Sequence, residues 1–288
     1  MEFIKIIFIN IKAFLRNNLP LPLLLIIERI RSFPSYLLWT LDKKYGKNHF
    51  LKQTNDLKNK FVNKRCVIIG NGPSLNKIDM SLLKNEYTFG LNRIYLLFDK
   101  IGYKTTFLVS INRFVLEQFG KEIQSNDSKI FLNYKYKSNS ESSTISYIPP
   151  SIYGAKYLDR PDKGFLSYTG SVTFLAIQLA LYFGFSEIIL VGFDNNFNNR
   201  GQSDKAIKSE GDDIDHFDKN YFGKDVIWQL PNYDALKYNF NLVKKYFENN
   251  PHKKIVNCTV GGNLENFDRC ELKEYLQKSR FENLINNN

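Results

Sequence analysis

A segment near residue 216 concentrates titratable and aromatic side chains, and His216 is its leading candidate for an acid or a base. A histidine flanked by Asp215 and Asp218 can have its tautomer fixed and its basicity raised, which suits the deprotonation of a hydroxyl group. Tyr221 or Lys219 would stabilise the negative charge on a leaving group. The alternative is a histidine on a surface loop, with Tyr221 packed beneath that loop as an aromatic plug.

A short apolar run at residues 66–69 ends abruptly in a turn that is rich in glycine. The turn combines two glycines, two short polar side chains and a proline: Gly70, Asn71, Gly72, Pro73 and Ser74. Glycine lets backbone N–H groups approach a ligand closely, so this turn is typical of a phosphate- or nucleotide-binding loop at the end of a strand. The spacing matches neither G-x-G-x-x-G nor the P-loop motif, and an ordinary tight turn is the alternative.

Other polar side chains lie where further predicted strands end. Asn92 follows the second predicted strand, Ser110 lies near the end of the third, and Asp194 follows the apolar strand of residues 187–191. Open α/β sheets bind ligands at the carboxyl ends of their strands, so we expect these side chains to contact a nucleotide. Asp194 would contact a ribose or a metal ion, or else cap a turn.

The start of a predicted helix supplies a further set of candidates. Residues 172–183 are almost entirely apolar, which predicts a buried helix whose N-cap is Ser171 or Thr169. Because a helix N-terminus beside strand ends attracts anions, we include Thr169, Gly170 and Ser171 among the nucleotide-binding candidates.

Acidic side chains precede His216 and raise the question of a metal ion. They are Glu210, Asp212, Asp213 and Asp215. They either hold Mg²⁺ together with a nucleotide or form a solvated acidic loop. The chain shows no cluster of zinc-type ligands, and we expect neither a resident metal nor a tightly bound cofactor.

The elements that must position these residues alternate between strands and helices from about residue 63 onward. This order predicts an α/β fold, with an open, mostly parallel, Rossmann-like sheet and helices on both faces. We therefore expect two parts, a nucleotide-binding α/β transferase domain at residues 63–288 and an N-terminal helical appendage at residues 1–62. The 43% hydrophobic content is enough for a full core.

The appendage is apolar, basic and helical in pattern. At helical spacing, residues 3–15 present a broad apolar face and a narrow polar one, which predicts an amphipathic helix. Further apolar runs at residues 19–27 and 36–41 are too short to span a membrane, and no secretory cleavage site follows them. The appendage either lies on a membrane surface or packs on the domain or on a second copy of the chain.

The distribution of charge indicates which class of partner the protein binds, and the cysteines indicate its cellular compartment. Residues 1–65 hold thirteen Lys and Arg against four Asp and Glu, which is +9 of the total formal charge of +11. A basic excess confined to the appendage points to anionic lipid rather than to nucleic acid. The three cysteines have no CxxC spacing, and Cys66 falls in an apolar strand, so we expect a reducing cytoplasm.

Several segments together resemble the 6-hydroxymethylpterin diphosphokinase MptE-like domain. They are Ile69-Gly-Asn-Gly-Pro-Ser-Leu75, Gly90-Leu-Asn-Arg93, Tyr168-Thr-Gly-Ser-Val172, Val191-Gly-Phe-Asp194 and His216-Phe-Asp-Lys-Asn-Tyr-Phe-Gly223. Bacterial members of that type are commonly associated with surface polysaccharide genes. The resemblance covers residues 64–270 and implies a nucleotide-dependent transferase, while the appendage stays unexplained.

The first of these segments and the Gly-Phe-Asp strand end also look like the small bacterial CMP-sialic-acid-dependent sialyltransferases. In those enzymes the glycine turn and a later strand-end asparagine hold CMP, which implies this role for Gly70, Asn71, Gly72, Ser74 and Asn92. Their catalytic base follows a Tyr-x-Gly, where this chain has Lys224, and an arginine of theirs corresponds to Thr169. These departures weigh against sialic acid as the donor.

The residues and the resemblance together predict a glycosyltransferase that uses a CMP-type activated sugar in cell-surface polysaccharide or lipopolysaccharide biosynthesis. Its acceptor would be a glycan or a lipid-linked molecule, and the protein would be cytoplasmic, peripheral at the inner face of the membrane. One alternative is an ATP-dependent diphosphokinase of the 6-hydroxymethylpterin type, with Mg²⁺ held by Asp194 and the acidic loop. The alternative of another class is a non-catalytic nucleotide-binding scaffold at the membrane.

Overall fold

The structure, a computed structural model, describes residues 6–7, 10–11, 13–14, 18–45, 54–137, 142–148, 158–161, 171–197 and 201–285. The strands are β1 Arg65–Ile69, β2 Tyr87–Leu91, β3 Phe107–Ser110, β4 Lys129–Asn133, β5 Ile145–Ile148, β6 Glu187–Val191, β7 Ala206–Lys208, β8 Ile227–Gln229 and β9 Lys254–Asn257. The α-helices are α1 Leu21–Lys44, α2 Phe98–Ile101, α3 Arg113–Gln124, α4 Val172–Tyr182, α5 Tyr233–Glu248 and α6 Leu272–Ile285.

In the described part of the chain, seven strands form one parallel sheet in the order β5-β4-β3-β2-β1-β6-β9. The remaining pair, β7 and β8, forms a separate antiparallel hairpin. Apolar cores cover the sheet on both faces. The predicted α/β fold class is therefore confirmed.

The order of the strands creates a crevice beside β1. Ile69 at the end of β1 pairs with Gly90 of β2 on one side and with Val191 of β6 on the other. The chain runs outward through β2, β3, β4 and β5 before it returns to β6 across β1. At such a change of direction, the carboxyl ends of the two central strands open the crevice where α/β sheets bind their ligands.

Successive side chains of β1 enter different cores. Cys66 and Ile68 face the core that contains α4, while Val67 and Ile69 face the other core. All four side chains are fully buried, as is typical of parallel strands covered on both faces. Cys66 thus packs as a small hydrophobic residue in the apolar strand, and burial raises the pKa of its thiol well above the usual value.

Helix α4 is apolar on all sides because it is buried on all sides. Every residue from 174 to 182 is buried, which confirms the helix predicted from the apolar run. Ser171 is its N-cap, with its Oγ accepting a hydrogen bond from Phe174 N at 3.4 Å. The helix stops before Gly184, where φ is 95° and an added Cβ would lie 2.9 Å from the Cα of Asn59.

The stretch before β1 packs on the domain, whereas the polar, lysine-rich composition of residues 42–64 predicts a solvated helix or linker. Leu57 and Phe61 are 7% and 8% exposed and belong to the core around α4. The Phe61 ring stacks on Phe185 with centroids 4.6 Å apart, and its N–H donates to Phe183 O at 2.9 Å. The prediction was wrong here because two apolar residues among many lysines are enough to attach a short segment.

Helix α1 is continuous through Pro34, whereas the sequence predicted separate apolar runs. Pro22 lies in its first turn, where a missing backbone N–H is tolerated. Among the described residues, no helix is long and apolar enough to cross a membrane.

Cys258 and Cys270 pair as a disulfide that joins the end of β9 to the residues before α6. Their Cα atoms are 5.0 Å apart, and the cysteines are separated by 12 positions in the sequence. The loop between them contacts the end of β6, because Asn263 N donates to Asp194 O at 2.7 Å.

Candidate active site

Residues 70–74, here called the glycine loop, fit closely against the residues that follow β6. Gly70 N donates to Val191 O at 2.8 Å, and Gly72 N donates to Gly192 O at 2.9 Å. A Cβ added at Gly70 would lie 2.4 Å from Gly192 O, and one at Gly72 would lie 1.8 Å from an Asp194 carboxylate oxygen. Both positions therefore require glycine for packing, whether or not a ligand is bound.

The buried Ser74 and the half-buried Asp194 form a pair across the crevice. The Ser74 hydroxyl donates to Asp194 Oδ2 at 2.6 Å, and Ser74 N donates to Oδ1 at 3.1 Å. The carboxylate thus caps the 3-10 turn Pro73–Lys77, which is the turn-cap role that the sequence left open for Asp194. Three of the loop's N–H groups, those of residues 70, 72 and 74, consequently already have protein acceptors.

Asn71 is the member of the glycine loop that offers an unused polar atom. Its side-chain Oδ1 is buried and has no hydrogen-bond partner within the described residues. Buried acceptors of this kind are normally satisfied in proteins, by protein groups, water or a ligand. An amino or hydroxyl group of a bound ligand would satisfy Asn71.

Asn92 and Ser110 lie where strands end, as the sequence predicted, and their side chains meet because these two strands are neighbours. Ser110 Oγ donates to Asn92 Oδ1 at 3.1 Å, and Asn92 N donates to Val109 O at 2.8 Å. Asn92 has a positive φ of 49°, a conformation in which asparagine is among the least strained residues. These two side chains form the wall of the crevice on the β2 and β3 side.

Residues 209–226, here called the His216 loop, connect β7 to β8 and reach the glycine loop. Phe217 N donates to Asn71 O at 2.9 Å, and Asn76 Nδ2 donates to Phe217 O at 2.8 Å. Phe217 is therefore hydrogen-bonded on both sides to the segment that follows β1. This places its neighbour, His216, beside the carboxyl ends of the central strands.

The carboxylate that orients His216 is Asp213. His216 Nδ1 lies 2.8 Å from Asp213 Oδ2, and the two side chains are 13% and 5% exposed. The same carboxylate accepts hydrogen bonds from Phe222 N at 2.9 Å and from Asp215 N at 2.9 Å. With Nδ1 donating to Asp213, the imidazole presents Nε2 as an acceptor, which is the form that a general base requires.

Tyr221 supports the imidazole from beneath. Its ring is stacked on His216 with centroids 4.0 Å apart and an interplanar angle of 4°. The side chain is 1% exposed, and burial raises the pKa of Tyr221 well above its usual value, so the phenol keeps its proton. Its hydroxyl group lies 3.5 Å from Arg93 N and interacts with Asn92.

Arg93 fastens the His216 loop to the end of β2, a role that sequence reasoning missed. Its guanidinium donates to Asn220 O at 3.0 Å and also to Tyr221 O, and it lies over the ring of Phe119 at 3.5 Å. The side chain is 6% exposed. Arg93 directly follows Asn92, and this position at a strand end is the only local signal, but it predicts a ligand contact rather than a contact with another loop.

Comparison with known proteins places the chain in a family. A family model described as 6-hydroxymethylpterin diphosphokinase MptE-like matches residues 41–200, which is more than half of the 288 residues. The chain belongs to the MptE-like family. This confirms the resemblance found in the sequence, and it supports a transferase role for the chain.

The other comparisons add little to this MptE-like assignment. No match is found among curated proteins. A solved structure of the MAf glycosyltransferase from Magnetospirillum magneticum AMB-1 gives a TM-score of 0.47 at 13% identity, over 82% of this chain. The MptE-like chain spans only 40% of the length of that protein.

The remaining predicted site residues of this MptE-like chain fall into three groups. Thr169 and Gly170 lie outside the described residues, and the Ser171 hydroxyl is used as the cap of α4. Asp215 is 3% exposed, and the carboxylate of Asp218 accepts a hydrogen bond from Asn220 N at 2.7 Å. Within the described ranges, no group of three or more candidate ligands is arranged to hold a metal ion.

The arrangement combines a recognition surface with a base. Unused or shared polar atoms line the crevice at Asn71, Asn92 and Ser110, and these atoms suit the hydroxyl and amino groups of a nucleotide. A part-buried pair of Asp213 and His216 lies at its edge with Nε2 available to accept a proton. Such a site can bind a nucleotide and deprotonate a second substrate.

Proposed function

We propose that this MptE-like protein is a glycosyltransferase that moves a sugar from a CMP-type nucleotide donor to an acceptor hydroxyl. The pathway would be the biosynthesis of a cell-surface polysaccharide or lipopolysaccharide. The observation that carries the proposal is the placement of His216, which is oriented by Asp213 and joined to the glycine loop through Phe217. A general base thus stands beside the crevice in which an α/β sheet binds nucleotides.

In the proposed reaction, Nε2 of His216 takes the proton of the acceptor hydroxyl while Asp213 keeps Nδ1 protonated. The acceptor oxygen bonds to the anomeric carbon as the bond from that carbon to the donor phosphate breaks. The nucleotide leaves with the electron pair on its phosphate. Lys219 is an exposed cation of the His216 loop and would offset that charge.

We assign Tyr221 a positioning role rather than contact with the leaving phosphate. Its hydroxyl group is buried against Arg93, and its ring supports the imidazole. Asn92 and Ser110, together with the unsatisfied Oδ1 of Asn71, are proposed to hold the nucleoside. Ser74 and Asp194 then act indirectly, by fixing the shape of the glycine loop.

The test is the identity of the product that the purified full-length chain releases. CMP-, UDP- and GDP-activated sugars would each be incubated with the protein and a glycan acceptor, and the free nucleotide would be separated by chromatography. The proposal expects CMP from a CMP-activated sugar, together with an acceptor whose mass has grown by one sugar. Release of UDP or GDP alone would contradict the CMP-type donor, and release of no nucleotide would favour the non-catalytic scaffold.

A second candidate function is an ATP-dependent diphosphokinase, because the matching family model carries that description. This function would assign Mg²⁺ to Asp194, whose carboxylate instead accepts two hydrogen bonds from Ser74. We therefore rank it second. Formation of AMP from ATP and 6-hydroxymethylpterin in the same assay, with no turnover of any nucleotide sugar, would make it the better description.

A further inference from the structure

Helix α1 exposes one continuous apolar face. Eight of its large apolar side chains are between 40% and 69% exposed, and together they are named the apolar stripe: Leu23, Ile26, Ile27, Ile30, Phe33, Leu37, Leu38 and Leu41. At the 3.6 residues per turn of an α-helix, all eight fall within an arc of roughly 140°. Such a concentration of exposed apolar side chains is characteristic of a surface that binds a partner.

The opposite side of α1 is attached to the domain, so the apolar stripe points away from it. Trp39, on that opposite side, is 5% exposed. The carboxylate of Asp42 accepts hydrogen bonds from Tyr134 Oη at 2.7 Å and from Lys137 Nζ at 2.6 Å. These contacts fix the rotation of the helix about its axis. Packing on the domain is therefore real but uses a different face from the stripe.

The residues before α1 repeat this arrangement. Asn10 is hydrogen-bonded to the backbone of Ala206 in β7, with Ala206 N donating to Asn10 Oδ1 at 2.8 Å, and Ala13 is buried. Ile7, Ile11 and Phe14 are 42% to 56% exposed and follow a helical spacing of four and three. Both parts of the appendage thus contact the domain with one face and expose apolar side chains on another face.

Charge indicates what covers these faces. Residues 1–65 carry +9 of the +11 formal charge, and exposed Arg29 and Arg31 flank the apolar stripe on its two sides. An apolar face bordered by basic residues, on helices unable to span a bilayer, matches the interfacial helices that bind anionic lipid. We propose that the apolar stripe lies in the interfacial layer of an anionic membrane.

The helices that carry this surface are attached at the same edge of the sheet as the candidate active site. The anchor of α1 at Tyr134 and Lys137 directly follows β4, and the anchor of Asn10 is on β7, the strand that leads into the His216 loop. A bilayer against the stripe would therefore hold the carboxyl edge of the sheet near the lipid surface. This step rests on the proposed glycosyltransferase function, and it specifies the acceptor as the hydroxyl group of a lipid-linked molecule.

Co-sedimentation of the full-length chain with vesicles tests the membrane surface without any nucleotide or acceptor. The probes are phosphatidylcholine vesicles with and without phosphatidylglycerol. Wild type should bind the anionic vesicles, and added salt should weaken this binding. The double substitution Ile30→Glu and Leu37→Glu should lower the vesicle affinity at least ~tenfold, because it places two charges in the apolar stripe.

Lys278→Glu is the matched control, since it lowers the net charge by the same two units at an exposed position of α6. It should bind anionic vesicles almost as wild type does. Circular dichroism and the melting temperature should be unchanged in both variants. Equal binding by wild type and by the stripe variant would overturn the proposal.

A second copy of the chain is the competing occupant, and light scattering distinguishes it. A wild-type dimer that does not bind vesicles, and that becomes a monomer in the stripe variant, would overturn the membrane surface. A protein that binds anionic vesicles but transfers no sugar would contradict the proposed function alone. Faster transfer to a lipid-linked than to a soluble acceptor, lost in the stripe variant, would support the assigned acceptor class.

Discussion

The glycine loop and the His216 loop reach the same edge of the sheet, but they are held there in different ways. The glycine loop is shaped by backbone contacts with the end of β6, and its N–H groups are mostly satisfied inside the protein. The His216 loop is organised by one carboxylate, that of Asp213, and leaves His216 Nε2 without a partner in the described part of the chain. The comparison teaches that the recognisable motif is held mainly by contacts within the protein, whereas the proposed base lies in the less regular loop.

The largest expected effect is on turnover. His216→Gln should lower the rate of sugar transfer ~10²–10⁴-fold, because it removes the general base. The melting temperature should change little, since the side chain is partly exposed at the edge of the site. His252→Gln, at an exposed position remote from the crevice, is the control and should retain full activity. Equal activity in the two variants would remove His216 from the mechanism.

The next largest expected effect is a loss of stability, caused by a substitution in the glycine loop. Gly70→Ala places a Cβ 2.4 Å from the backbone oxygen of Gly192, which neither chain segment can easily avoid. We expect the free energy of unfolding, measured in urea, to fall by about 3 kcal/mol. Gly211→Ala is the control, because a Cβ there meets no atom within 4 Å. A Gly70 variant as stable as wild type would show that the loop is not held by packing.

Much of the structure of these two regions could be predicted from the sequence. The contacts that could not be predicted join residues that are far apart in the chain. The strand–turn pattern of residues 66–74, the N-cap at Ser171 and the strand-end position of Asn92 depend on neighbours in the chain, and the structure confirms them. The pairing of Ser74 with Asp194 joins residues 120 positions apart, and no local pattern distinguishes it from a ligand contact. The sequence therefore predicted a ligand contact for Ser74 and either a ligand contact or a turn cap for Asp194, but it did not predict that the two residues pair.

The hydrogen-bond partner of His216 could not be predicted either, although it lies only three positions away in the chain. Flanking residues suggested Asp215 or Asp218, but side chains one or two positions away in an irregular loop need not face the imidazole. The turn from residue 213 to residue 216 brings Asp213 into contact instead. For Asp213 the acidic composition of the segment predicts either an Mg²⁺ ligand or a position in a solvated loop, and it does not indicate a contact with His216.

A third prediction distinguishes the role of the Asp213 carboxylate from that of the Asp218 carboxylate. Asp213→Asn should lower turnover roughly 30-fold, since a hydrogen bond to a charged group is worth about 2 kcal/mol. The nucleotide affinity should stay the same, because Asp213 acts through His216. Asp218→Asn should have little effect on turnover. If the Asp218 variant were the slower of the two, the sequence-based interpretation would be restored.

The smallest expected effect is on stability. Two serine–aspartate hydrogen bonds of equal length allow it to be measured against a control. Ser74→Ala removes a part-buried 2.6 Å hydrogen bond to Asp194 and should lower the free energy of unfolding by about 1.5 kcal/mol. Ser81→Ala removes a 2.6 Å hydrogen bond to the exposed Asp79 and should cost clearly less. Equal losses, measured by urea unfolding, would show that burial in the crevice adds nothing to the Ser74 pair.

The central claim is that both loops border one nucleotide site, and ligand-induced thermal stabilisation tests it most directly. The melting temperature would be recorded with CMP, UMP, GMP, ADP and ATP, each with and without Mg²⁺, for wild type, Asn92→Ala and the exposed control Asn85→Ala. CMP at a hundred times its dissociation constant should add about 2.7 kcal/mol to wild type and to the control, without Mg²⁺. The Asn92 variant should lose most of this gain. Stabilisation by ATP and Mg²⁺ alone, or equal stabilisation of all three proteins by CMP, would contradict the account.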